Sequence, residues 1–204
     1  MTMPAARRVA IDVANIPTHA FGHRSVMWWA TMCMIAIEGT VFALVITSYL
    51  YLKGRVPHWP PGVPVPGLFW GTLNTAILVA SIYPNLLARR AAERFDLGGV
   101  RLWMAVCLVF ALAFNIVRFI EFSTLHVRWD TNAYGSVTWA LLGFHTTHVL
   151  TDFLDSMVLA AVMFVGRIDE QRFVDVSENA MYWNFVVLSW LPIYAVIYLA
   201  PRIV

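Results

Sequence analysis

Apolar residues come in five long runs, at 26–52, 68–88, 102–122, 137–165 and 180–200. Each is close to or above the ~20 residues a helix needs to cross a bilayer core. In lipid the backbone must satisfy its own polar groups, so helices are the predicted element for all five. The connections are short and polar. KGRVPHWPPGVPVPG (53–67) holds five prolines, which remove donors and fix φ, and is expected to run extended over the surface. ARRAAERFDLGGVR (88–101) is charged and ends in a Gly-Gly break, STLHVRWDTNAYG (123–135) is polar with aromatics, and GRIDEQRFVDVSENA (166–180) mixes both charge signs. No internal repeat or separate soluble domain is visible. The predicted fold is therefore all-α: a polytopic bundle of five transmembrane helices in one domain, 25–204, after a tail over 1–24.

Composition agrees with lipid as the solvent. The chain is 60% hydrophobic with mean hydropathy +0.68, and 13% of its residues are charged, about half the share usual in soluble domains. A net charge of +2 without a basic groove gives no reason to expect a nucleic-acid partner. Cys33 and Cys107 lie in apolar runs and read as packing residues rather than a disulfide or a metal pair. The tail carries Arg7, Arg8, Asp12, His19, His23 and Arg24 without an apolar run, so it reads as a cytoplasmic tail and not a signal peptide. Arg7, Arg8, Arg24, Arg89, Arg90, Arg94, Arg101, Arg167 and Arg172 fall on one side of such a bundle. Lys53, Arg55, Arg128 and Arg202 fall on the other. The positive-inside bias places the N-terminus in the cytoplasm and the C-terminus in the periplasm.

Charged groups at bilayer depth cost on the order of 3 kcal/mol each on insertion scales, so each needs a reason. Glu38 falls near the middle of the first span, with three readings open. It is protonated and hydrogen-bonded between helices, it meets a buried lipid or a neighbouring subunit, or it belongs to a proton relay. Arg118 and Glu121, spaced i, i+3, lie in the last turns of the third span. They read as an interfacial ion pair, or as an Arg118 that holds a phospholipid phosphate.

The stretch GFHTTHVLTDFLD (143–155) puts His145, His148, Asp152 and Asp155 on roughly one helix face, as a metal site would. A di-metal carboxylate bundle also needs Glu-x-x-His on other helices, and neither Glu38 nor Glu121 has a His three residues on. The remaining histidines, His19, His23, His58 and His126, lie in tail and loops, so no second span supplies a partner for a metal or a haem. A hydrogen-bonded cluster or the wall of a lipid cavity is the better reading. A di-metal membrane oxidase built on this stripe is the lesser one. A small transporter would show repeats or a symmetric pair of broken helices, and Pro84 and Pro192 form no such pair.

Several motifs, in order, resemble subunit III of the haem–copper respiratory oxidases over roughly 25–200. EGTVFALVITSYLYL resembles that family's first core segment, with Glu38 where the family has its intramembrane glutamate. WPPGVPVP is similar to the Pro-rich loop of bacterial forms, and LNTAILVAS to the helix that follows. FIEF sits where the family has Gln-x-x-Glu-Tyr, with Arg118 in place of the Gln. YGSVTWALLGFHTTHV resembles Tyr-Gly-Ser…Gly-Phe-His-Gly-x-His-Val, and YWNFVVLSW, with Trp183, resembles Tyr-Trp-His-Phe-Val-Asp-x-x-Trp. The departures are Thr146 and Asp152 at glycine positions, Asp155 as an added carboxylate, and Asn184 and Val187 in place of His and Asp. They raise the expectation that Asp152 or Asp155 takes over hydrogen bonds usually supplied by the last helix.

The resemblance implies a short, five-helix bacterial form, multi-pass in the inner membrane. It implies a subunit without a catalytic site or metal of its own, in a cytochrome c oxidase-type enzyme of aerobic respiration. Haem and copper are then expected in partner subunits I and II, and a respiratory supercomplex at the largest scale. The implied role is to stabilise subunit I, bind phospholipid and support proton uptake. Lipid or helix–helix contact is expected of Arg118, Glu121, His145, His148, Asp152, Asp155 and Trp183. Subunit III of a quinol oxidase and an accessory subunit of a nitric oxide reductase are the near alternatives.

Overall fold

Local signals start and stop the helices where polar caps allow. The computed structural model describes residues 20–203. Of the expected tail, 1–19, with Arg7, Arg8, Asp12 and His19, lie outside the described residues. After a 3-10 turn at Gly22–Arg24 come α1 (Val26–Lys53), α2 (Leu68–Glu93), α3 (Leu97–Ser123), α4 (Ala133–Val165) and α5 (Glu170–Tyr194). α5 runs on through a π turn at Ala195–Leu199 and a 3-10 turn at Ala200–Arg202. Ser25, Asp96 and Asn132 cap α1, α3 and α4 by accepting from the N–H groups of Met27 (3.1 Å), Gly99 (3.1 Å) and Gly135 (2.8 Å). Each bond satisfies one of the donors that a helix start leaves free. No strand occurs among the described residues.

Four helical stretches, Val26–Lys53, Leu97–Ser123, Ala133–Val165 and Glu170–Arg202, are long and apolar enough to cross a membrane. α2 has the length, about 39 Å at 1.5 Å per residue, but is more polar. Its Asn74, Ser81 and Asn85 are buried, turned into the bundle. α2 packs against α3 and α5, whereas α1 packs at the edge against α4 and α5. Only Phe42 and Tyr49 of α1 are fully buried.

Two boundaries depart from the sequence reading. The Gly-Gly pair is not a break: Gly98 and Gly99 form the first turn of α3, capped by Asp96. The α2–α3 turn is instead made by Phe95 at φ 55°, a left-handed conformation uncommon outside glycine. Its ring is held between Phe21 (5.6 Å) and Phe173 (5.3 Å). The largest departure is in α5, which starts at Glu170 rather than 180. Its first turns are polar, and hydropathy alone does not separate a polar helical turn from a loop.

The core has two parts. A larger one gathers Tyr49, Phe114, Leu141, Val186, Trp190 and Ile197 with their neighbours from all five helices. A smaller one, with Ala92, Val100, Met163 and Phe173, is built from α2 to α5 and takes nothing from α1. The N-terminal half of α1 therefore stands off the bundle. The proline loop has no helix over 54–67, and its Trp59 is pinned between Tyr49 (5.2 Å) and Tyr134 (5.1 Å). Cys33 and Cys107 are free. Cys33 sits on the outward side of α1 rather than in the packing.

Candidate functional site

The polar residues at bilayer depth separate into two clusters and a cleft. In the first cluster, Arg118 Nη1 lies 2.9 Å from Glu121 Oε2, and both side chains are almost wholly buried, at 0% and 2% exposure. Asn74 donates to Glu121 Oε2 (2.5 Å), and the Tyr198 hydroxyl donates to Oε1. The Arg118 guanidinium lies over the rings of Trp190 (4.0 Å) and Phe114 (4.8 Å). The expected ion pair forms, but inside the bundle instead of at the interface. No side of Arg118 is open to a lipid phosphate.

His145 belongs to this region as well. It is fully buried, its Nε2 is 3.0 Å from the Val186 carbonyl, and its ring packs on Trp190 at 4.9 Å. Trp183 bridges helices, donating from Nε1 to Ser81 Oγ (2.9 Å). Asn184 accepts from Asn85 of α2 (3.2 Å).

The second cluster joins α1, α4 and α5. The Tyr182 hydroxyl donates to Glu38 Oε2 (2.8 Å), and His148 Nε2 faces Glu38 Oε1 at 3.5 Å. His148 Nδ1 is 2.6 Å from the Phe144 carbonyl, so it carries a hydrogen and donates there. Glu38 is thereby met by one polar side chain from α4 and one from α5.

From this cluster a cleft of about 590 Å³ opens between the standing-off half of α1 and the α4–α5 pair. Five carboxyl groups line it, Glu38, Asp152, Asp155, Asp175 and Glu178, with one guanidinium, Arg172. Arg172 donates to Asp175 (3.2 Å). Asp152 is 3% exposed, and its Oδ1 accepts from Asn179 of α5 (3.3 Å). Asp155 is exposed on the cleft wall. Asp152 thus reaches the last helix, whereas Asp155 is exposed.

The stripe of four thus disperses. His145 goes to Val186, His148 to Glu38, Asp152 to Asn179, and Asp155 to the cleft. Among the described residues no three His, Cys, Asp or Glu side chains are placed to hold one metal ion. Sequence reasoning missed Tyr182, Asn179 and Glu178. Their signal was present, since 178, 179 and 182 fall on one helical face, but α5 was expected to begin beyond the first two.

Residues 41–201 match the family described as cytochrome c oxidase subunit III. The chain belongs to the cytochrome c oxidase subunit III family. Similar proteins include cytochrome c oxidase subunit 3 of Thermostichus vulcanus, 26% identical over 90% of this chain and 92% of that one. The probable cytochrome c oxidase subunit 3 of Mycobacterium leprae is 28% identical over 88% and 91%. Subunit 3 of Synechocystis sp. is 26% identical over 87% of this chain and 77% of its own. Membership makes this a membrane protein that associates with other oxidase subunits, and the family is not the catalytic subunit. Glu38 lies just ahead of the matched stretch, while both of its partners, His148 and Tyr182, lie within it.

Proposed function

We propose that this chain is the non-catalytic subunit III of a proton-pumping haem–copper terminal oxidase of aerobic respiration. It crosses a bacterial inner membrane five times, N-terminus in the cytoplasm, with α2 as the fifth span because its polar side chains are turned inward. It flanks and stabilises subunit I, beside subunit II. Haem and copper reside in those partners. Phospholipid occupies the cleft, and the Glu38–His148–Tyr182 cluster at its head supports proton uptake.

The observation that carries this reading, beyond family membership, is the meeting of Glu38 with Tyr182 and His148. An ionisable group within a spanning helix, with polar partners from two other helices, marks a candidate site on a proton path. Glu38→Gln preserves the acceptor for Tyr182 but cannot release a proton. The oxidase carrying it is expected to assemble and to start turning over normally, then to slow in proton uptake and lose activity sooner during sustained turnover. Tyr182→Phe, which removes a donor to Glu38, is expected to give a milder form of the same loss. Wild-type uptake and durability in Glu38→Gln would remove the relay from the account.

A further inference from the structure

The carboxyl groups of the cleft are not all satisfied by the protein. Asp152 is 3% exposed, and its Oδ2 has no hydrogen-bond partner; Glu178 is 6% exposed, and its Oε2 has none. Both residues line the cleft. A buried acceptor left without a donor costs about 1–3 kcal/mol, so each calls for an N–H or O–H group from outside the chain. Among the described residues the acids do not converge on one point as metal ligands do. They are spread over three helices, α1, α4 and α5, which suits a ligand that brings several donors.

The rest of the lining narrows the ligand further. The lining also carries exposed apolar side chains, Met27 and Met34 of α1 and Val158 of α4. A cleft that combines carboxyl groups with exposed apolar side chains fits an amphiphile with a cationic end. Its volume, about 590 Å³, is that of an ordinary small-molecule site. Arg172, near the start of α5, is the one cationic side chain in the lining and gives a phosphate a neighbour.

We propose that the cleft is a headgroup site selective for a phospholipid that carries a primary ammonium group. The ammonium donates to Asp152 Oδ2 and Asp155, the phosphate lies toward Arg172, and the acyl chains leave past Met27, Met34 and Val158. This rests on the reading that the cleft holds phospholipid, and adds the headgroup class and the residues that select it.

The test is lipid analysis of the whole oxidase, purified in mild detergent, by mass spectrometry. It compares wild type with Asp155→Asn, an exposed change that leaves the packing alone, and with Asp152→Asn. Delipidated complexes are also supplied with phosphatidylethanolamine vesicles or phosphatidylglycerol vesicles and their thermal stability read. Wild type is expected to retain the amine lipid and to be stabilised by phosphatidylethanolamine. Each variant is expected to retain on the order of tenfold less of it, as for loss of one charge-assisted hydrogen bond, with anionic lipid unchanged. Retention of anionic lipid only, or equal amine lipid in wild type and Asp155→Asn, overturns the selectivity while leaving lipid binding intact. A complex with no retained phospholipid in any form overturns lipid binding as well. A crosslink from Asp155 to a basic side chain of a partner subunit gives the site to that subunit and also overturns the proposal.

Discussion

Arg118 and Glu121 put opposite charges where neither touches solvent, and the two tie α3 to α2 and to the α5 extension through Asn74 and Tyr198. Breaking a buried pair by removing one member costs about 3–5 kcal/mol, because the other is left uncompensated. Arg118→Leu is therefore expected to lower the thermal stability of the complex strongly. Arg118→Leu combined with Glu121→Leu is expected to recover much of that loss. A double variant as unstable as the sum of the singles would show that the charges do not act as a pair. Ser81→Ala, which leaves the buried Trp183 indole N–H without its acceptor, is expected to cost about 1–3 kcal/mol, read by the same melting experiment.

At the scale of the elements, α2 and α5 are the seam of the bundle, and their approach depends on a small residue. A Cβ at Gly71 would meet the Tyr198 ring at 2.7 Å, so Gly71→Ala pushes Tyr198 away from Glu121. The expected cost is about 1–3 kcal/mol, as for other overpacked sites. Gly143→Ala, with nothing within 4 Å of the added carbon, is the matched control and is expected to melt like wild type. The helices themselves were legible because their apolar runs are long and their connections hold proline or charge. The polar start of α5 was not, because Asp175, Glu178 and Asn179 look like loop residues until the cleft that receives them is seen. Glu38, Arg118, Glu121 and His148 stood out for the cost of burying them. Their partners did not, since Tyr182 and Tyr198 carry no such penalty in an aromatic-rich sequence. Linear spacing also placed four polar groups on one stripe, while helix packing sent each to a different neighbour.

For the whole molecule, the two ends of the bundle have different work. The end with the proline loop is closed by Trp59 between Tyr49 and Tyr134, by Lys53 donating to the Ala200 carbonyl (2.9 Å), and by Arg202 donating to Pro66. The other end is open on the α1 side, where the acidic cleft leads toward Glu38. In the proposed orientation that open end faces the cytoplasm, the side from which protons would be taken up. Cysteines introduced at Val56 and at Arg167, in a background without Cys33 and Cys107, test this arrangement. A membrane-impermeant thiol reagent applied from the periplasm is expected to label position 56 at once and position 167 only after the membrane is opened. The reverse pattern would put the cleft on the wrong side for proton uptake. The central claim, that this chain works as a non-catalytic part of a haem–copper oxidase, is met most directly by isolating it from native membranes in mild detergent. The preparation is then identified by its optical spectrum together with mass spectrometry of the co-purified chains. The expected result is a haem spectrum that travels with separate haem- and copper-bearing subunits and leaves the chain when they are removed. A chain that purifies from intact membranes without those subunits, or keeps a stoichiometric haem band after they are stripped away, contradicts it.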